Sequence, residues 1–248
     1  MKRSLLVISF LFLLSLSAFA TEIKVAVAAN LLFPFEEIKA AFEKETGDKV
    51  TCIMSSSGKL TAQIENGAPF DVFLSADMKY PNNLFKSGSA VTKPKPYAYG
   101  VLVLWTFNEI DLSKGIDTIK GKSIKKIALA DPKTAPYGEQ TIKVLAHFGL
   151  YDELKDKLVY GESLPQVNQF LETKAADIGF TAKSVVLAPK VKGKGKWIEV
   201  DPDSYLPIAQ GAVILKRAKN NELAKAFYDF IFSEKAREIF SKYGYKLP

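Results

Sequence analysis

Three hydroxyl residues and a glycine, Ser55-Ser56-Ser57-Gly58, run directly into an amphipathic pattern over residues 58–66. A Gly67-Ala68-Pro69 break follows, and then a short apolar strand over residues 71–75 that ends in Ser75-Ala76-Asp77. A hydroxyl at a helix start stands beside backbone N–H groups that have no intrahelical acceptor, at the positive end of the helix dipole. Such a place holds a small anion without any charged side chain. Three further helix starts have the same chemical style. Ala28-Ala29-Asn30 precedes Pro34, Pro136-Tyr137-Gly138 follows an Asp131-Pro132 turn, and Ser163-Leu164-Pro165-Gln166 has the form of a capping box with proline in the first turn. Taken singly, each is an ordinary helix cap.

Other chemistries have less material. Ser56-Ser57-Gly58-Lys59 satisfies Ser-x-x-Lys, the pattern of a serine acyl-transfer nucleophile, but the companion Lys-Thr-Gly and Ser-Asp-Asn motifs are missing. Gly58-Lys59 lacks the upstream glycine and the following hydroxyl of a phosphate-binding P-loop. With one histidine (His147) and one cysteine (Cys52), a zinc site or a Cys–His pair has almost no material. His147 falls late in a helix, where a cation complements the dipole. Asp71 and Asp77 flank a strand, either as caps for nearby N–H groups or as a carboxylate base.

The elements that must position these caps alternate. Strands are predicted over residues 23–28, 49–54 and 71–75, with helices over 33–46 and 58–66 between them, closed by Gly47 and Gly67. A long apolar strand at 101–107 opens a second alternating set. It comprises strand 126–130, helix 138–148, a short strand near 158–160, helix 165–174 and strand 177–181. An apolar run at 206–215 precedes two helices containing Leu223, Phe227, Phe230 and Ile231, then Ala236, Ile239 and Phe240. This succession implies an α/β fold with mixed sheets flanked by helices. The two long strands suit a chain that crosses to a second lobe and returns, although one continuous sheet fits the periodicity nearly as well. In open α/β sheets ligands sit beyond the carboxyl ends of strands, and that is where the caps fall.

The amino terminus has a different character. Met1-Lys2-Arg3, an apolar stretch over residues 5–14 and Ala18-Phe19-Ala20 read as a signal peptide, cut after Ala20. No cysteine follows to carry a lipid, so the mature protein is expected in the bacterial periplasm, unanchored. Loss of Lys2 and Arg3 lowers the formal charge from +7 to +5. The excess is spread along the chain, and its densest run, residues 190–196 (KVKGKGK), reads as a solvated turn without interleaved aromatics. A nucleic-acid partner is therefore not expected. Cys52 has no intramolecular partner and falls in an apolar strand pattern, as a small buried hydrophobe.

The segments VAVAANLLFPFEEI, SSSGKLTAQIENGAPFDVFLSAD, ALADPKTAPYGEQTIKVL, ESLPQVNQFL with ADIGF, and AFYDFIFSEKAREIFSKYGYKLP together resemble the periplasmic molybdate/tungstate-binding proteins of ABC transporters. The resemblance extends over essentially the whole mature chain. It implies a two-lobed type II periplasmic binding fold with two crossover strands. Residues 1–20 would be the signal peptide, residues 21–100 with 206–248 one lobe, and 101–205 the other. It also implies a binding protein rather than an enzyme, with no cofactor. The ligand would be molybdate or tungstate, delivered as an oxyanion by a monomer to a membrane permease. By position, Ser57 matches the family's serine ligand, and Tyr137 and Leu164 match backbone N–H donors. Asn30 stands where many members have serine, with Ala29 beside it also contacting the anion. One departure is clear. Where many members donate a tyrosine hydroxyl after the ADIG-like strand, this chain has Ala182, and the Asn30 amide is expected to take over. Another oxyanion such as sulfate or chromate is the alternative ligand, and serine acyl transfer a distant second.

Overall fold

The computed structural model describes residues 22–248, so residues 1–20, read above as a signal peptide, lie outside the described residues. The strands are β1 (Glu22–Ala28), β2 (Lys49–Ser55), β3 (Val72–Leu74), β4 (Lys95–Gly100), β5 (Leu102–Thr106), β6 (Ile127–Ala130), β7 (Leu158–Gly161), β8 (Ile178–Ala182), β9 (Lys196–Glu199) and β10 (Ile208–Ile214). The helices are α1 (Pro34–Thr46), α2 (Ser57–Glu65), α3 (Lys79–Lys86), α4 (Pro136–His147), α5 (Tyr151–Leu154), α6 (Leu164–Glu172), α7 (Lys183–Val186), α8 (Glu222–Ile231) and α9 (Glu234–Lys242).

Hydrophobic sequence explains the strands. In β1, Ile23, Val25 and Val27 face one side and Ala26 and Ala28 the other, and all five are buried, as a central strand covered on both faces requires. α1 begins with Pro34 and stops at Gly47, whose φ of 78° allows the left-handed turn that returns its N–H to Glu43 O. Its apolar face packs on α8, with Phe42 edge-to-face on Phe227 at 5.1 Å and on Phe230 at 5.4 Å.

Two five-stranded sheets result, in the orders β2-β1-β3-β10-β4 and β7-β6-β8-β5-β9. They share one plan. Three parallel strands come first, then an antiparallel strand (β10 or β5), then an edge strand. Each antiparallel strand is the one that the chain enters from the opposite sheet. β4 ends at Gly100 in the first sheet and β5 begins at Leu102 in the second. The return runs from β9 in the second to β10 in the first. The molecule is thus a two-lobed type II periplasmic binding fold, and the carboxyl ends of the parallel strands in both lobes converge on one cleft.

Several local expectations are corrected. β9 begins at Lys196, the last residue of the lysine–glycine run, and pairs with β5; the turn itself is confined to the preceding residues. α3, with Pro81 in its first turn, and β4 were not anticipated as elements. Cys52 is only half buried, because β2 is a sheet edge. Asn30 does not cap α1; it sits in a short 3-10 turn, Ala29–Leu31, and the residue before α1 is Phe33. Ser163 makes no side-chain cap, and Gln166 Oε1 instead accepts from the Glu162 N–H at 2.7 Å.

Candidate functional site between the two sheets

Five parallel strands each deliver residues to one small cavity. After β1 come Ala28, Ala29 and Asn30; after β2, Ser56 and Ser57; after β3, Ala76. From the second lobe come Ala135, Pro136 and Tyr137 after β6, and Ser163 and Leu164 after β7. Ala29, Asn30, Ser57, Tyr137 and Leu164 are therefore all brought together. Ala182, at the end of β8, is buried but is not part of the lining. Space for the centre of a water-sized sphere amounts to about 20 Å³. That suffices for one small ion and is far below the pockets that hold sugars or drug-sized ligands.

No lining residue carries a charged side chain. The donors are neutral, and the fold aims them. Ser57 is fully buried, and its Oγ accepts a hydrogen bond from the Ala76 N–H at 2.9 Å. That bond occupies a lone pair and leaves the hydroxyl proton free, with no acceptor for it among the described residues. Ser57 and Leu164 are the first residues of α2 and α6, and Tyr137 is the second of α4. Their N–H groups precede the first intrahelical acceptor, and none takes part in the turn and cap hydrogen bonds of the described residues. Buried N–H groups without partners are rare, so three around one cavity mark a place where an acceptor belongs. α4 reaches this position because of Gly138. A Cβ there would lie 2.0 Å from Ala130 O, so only glycine lets the helix start press onto the end of β6.

Across the mouth the lobes touch directly. The Gly58 N–H donates to Thr134 O at 2.9 Å, Ser56 Oγ donates to Thr134 Oγ1 at 3.2 Å, and Lys59 Nζ pairs with Glu162 at 2.7 Å. A Cβ on Gly58 would lie 2.7 Å from Tyr80 Oη and 2.9 Å from Thr134 Cα, so this contact also requires glycine. Lys59 points to Glu162 rather than to a serine hydroxyl, which removes the base that serine acyl transfer would use. Asp71 and Asp77 act as caps. Asp71 accepts from the Lys24 N–H and pairs with Arg217, whereas Asp77 accepts from Ser75 Oγ and the Tyr80 N–H. Burial pushes the Asp77 carboxyl up from its ordinary value. Among the described residues no cluster of His, Cys, Asp and Glu is able to hold a metal ion.

Behind the cavity lies a buried polar floor that sequence reasoning missed. Asn30 Nδ2 donates to Gln210 Oε1 and to Tyr245 Oη, both at 2.8 Å. Tyr97 Oη approaches Gln210 Oε1 at 2.9 Å, and Gln210 Nε2 approaches Tyr137 Oη at 3.3 Å. Ser184 Oγ, two residues beyond Ala182, donates to Asn30 O at 2.8 Å. The Asn30 amide hydrogens are thus directed at the floor, away from the role expected of them. Burial raises the Tyr245 hydroxyl to about 12 and lifts Tyr97 and Tyr137 well above the ordinary tyrosine range, so all three stay neutral donors. The available signal was Gln210 itself, the one strongly polar side chain in the apolar run of β10, since a buried amide must find partners.

Residues 23–246 match the family described as bacterial extracellular solute-binding protein. The chain is 43% identical over 237 residues to the molybdate-binding protein ModA of Azotobacter vinelandii, covering 95% of this chain and 94% of that one. It is 42% identical over 233 residues to ModA of Rhodobacter capsulatus, covering 94% and 91%. The solved structure of the Azotobacter vinelandii periplasmic molybdate-binding protein superposes with a TM-score of 0.86 at 36% identity, covering 91% of this chain and 99% of that one. Two mirrored sheets, a neutral donor-lined cavity between them and a match spanning nearly every described residue lead to one assignment: the chain belongs to the bacterial extracellular solute-binding protein family.

Proposed function

We propose that this protein binds molybdate in the periplasm and delivers it to the permease of an ABC importer. The observation that carries the reading is the convergence of three unpartnered helix-start N–H groups, at Ser57, Tyr137 and Leu164, with the aimed Ser57 hydroxyl on one ion-sized cavity. The names of the relatives, matched over almost their whole length, support it. A tetrahedral dianion presents acceptors in every direction and suits such a lining. Each hydrogen bond to a charged group contributes roughly 1.5–3 kcal/mol net, so a handful offsets the anion's desolvation. Helix dipoles from both lobes add about 0.3–1 kcal/mol apiece.

The proposed ligand contacts are Ala29, Asn30, Ser57, Tyr137 and Leu164. Tungstate, which has the same charge and shape, is the second proposed ligand. Phosphate commonly carries a proton at neutral pH and needs an acceptor that these donors do not supply. Sulfate must be rejected by size. The lobes are taken as residues 21–100 with 206–248 and residues 101–205, closing about the anion in a monomeric protein exported by residues 1–20. A calorimetric panel of molybdate, tungstate, sulfate, phosphate and chromate tests this. Molybdate and tungstate should saturate one site, with the other anions at least tenfold weaker. Preference for sulfate or chromate, or no anion response, contradicts it.

A further inference from the structure

Asn30 Oδ1 is the one buried side-chain polar atom without a hydrogen-bond partner among the described residues. It belongs to a lining residue whose Nδ2 is turned toward the floor, to Gln210 and Tyr245. A second mismatch lies nearby. Tyr137 Oη accepts from Gln210 Nε2, and its own proton has no acceptor among the described residues. An unpartnered buried acceptor is costly, and one facing a dianion would repel it as well.

Both mismatches vanish in a single rearrangement. The oxygen and nitrogen of a side-chain amide are nearly isosteric, so Asn30 and Gln210 can each turn by half a revolution in the space they already fill. Gln210 Nε2 then donates to Asn30 Oδ1 and to Tyr97 Oη, and Tyr97 Oη donates its hydrogen bond to Ser75 O alone, already 3.0 Å away. Tyr137 Oη donates to Gln210 Oε1, and Tyr245 Oη turns its proton from Asn30 O, which still accepts from Ser184 Oγ, to Asn30 Oδ1. Every other donor of the floor finds an acceptor, and Asn30 Nδ2 takes the position of the orphaned atom, where the bound anion is the acceptor for its hydrogens. Turning Asn30 alone fails, because its oxygen would then meet Gln210 Oε1.

We propose that Gln210 is the positioning residue of the site: when the oxyanion is bound, the Asn30 and Gln210 amides are turned together, and Gln210 holds Asn30 Nδ2 toward the ligand. This rests on the oxyanion reading of the cavity. It gives the chain a substitute for the tyrosine hydroxyl absent at Ala182. It also ties the donor to both lobes, since Gln210 is on β10 of the first sheet and Tyr137 is on α4 of the second lobe.

Neutron diffraction from deuterated crystals of the molybdate-loaded wild-type protein locates the amide deuterons directly. The expected result is deuterons on the Asn30 atom nearest the anion and on the Gln210 atom facing Asn30. Molybdate bound with Asn30 Oδ1 facing it overturns this inference alone. A cavity without molybdate overturns the oxyanion reading and this inference together. A solution arm uses Tyr137→Phe, which keeps the backbone N–H but removes the acceptor-facing hydroxyl. Molybdate affinity should fall roughly 2- to 10-fold in calorimetry, with displaced 15N side-chain amide signals for the Asn30 and Gln210 pairs in the bound state. Unchanged affinity and unchanged signals contradict the relay.

Discussion

The mouth and the floor of the cleft join the same two lobes by opposite means. At the mouth the contacts are partly buried or exposed, with Gly58 and Ser56 on Thr134, Tyr80 on Lys133 and the exposed pairs Lys59–Glu162 and Lys79–Glu139. At the floor the joining groups are the wholly buried Gln210 amide and the hydroxyls of Tyr97, Tyr137 and Tyr245, in a network with Asn30 and Ser184. Breaking a buried network leaves unpaired polar groups, whereas an exposed pair that parts returns to water at little cost. The difference teaches that the lobes should separate at the mouth and stay joined at the floor, so the anion enters past Gly58 and Thr134.

The sharpest way to break this comparison is at the ligand's own donor. Ser57→Ala removes a charge-assisted hydrogen bond, so molybdate binding should weaken by roughly 1.5–3 kcal/mol in calorimetry. The free protein should lose only about 1 kcal/mol, from the Ala76 N–H left unpaired. Next comes Gly58→Ala, whose added carbon meets Thr134 only when the mouth is shut. Overpacking of about 1–3 kcal/mol should fall on the closed complex and appear as faster release in stopped-flow measurements. The free protein should change little in melting temperature, because the Tyr80 hydroxyl that also meets the new carbon is the far end of a side chain and the helix gains from alanine.

The floor makes a prediction about pH. With Tyr245 held at about 12 and Tyr97 and Tyr137 higher than usual, no group of the site titrates near neutrality. Molybdate affinity should stay flat from about pH 6 to pH 9. These tyrosines resist ionising when folded, so their contribution to stability is complete below the unfolded tyrosine value of about 10 and is lost as pH rises through the folded values. The melting temperature should therefore drop above about pH 10, along with the appearance of tyrosinate absorbance. The smallest effect belongs to Lys59→Ala at the mouth. An exposed pair contributes about 0–1 kcal/mol, so affinity should change less than about fivefold, and less still at high salt.

The contrast also explains what could be read from the chain. The helix starts near Asn30, Ser57, Tyr137 and Leu164 were visible because local rules place hydroxyls, asparagine and proline there, and strand–helix alternation carries those starts to one edge of a sheet. The choice of Ala29, Tyr137 and Leu164 as backbone contacts came from the family resemblance, and Asn30 lies in a 3-10 turn rather than capping α1. The floor obeys no local rule. Asn30, Tyr97, Gln210 and Tyr245 lie far apart in sequence and meet only when β10 has returned to the first sheet. Short elements with mixed signals, such as β9 behind its lysines and α3 around Pro81, owe their form to sheet pairing and packing rather than to periodicity. Ser163 marks the converse limit. Its pattern marks a genuine helix start, yet its hydroxyl does not cap, and Gln166 Oε1 accepts from the Glu162 N–H.

The central claim, an oxyanion held by neutral donors from both lobes, is tested most directly by X-ray diffraction at the molybdenum absorption edge from crystals grown with molybdate. One anomalous peak is expected in the cavity, with ligand oxygens about 2.7–3.2 Å from Ser57 Oγ and from the N–H groups of Tyr137 and Leu164. A peak outside that cavity, or contacts from one lobe only, would contradict it.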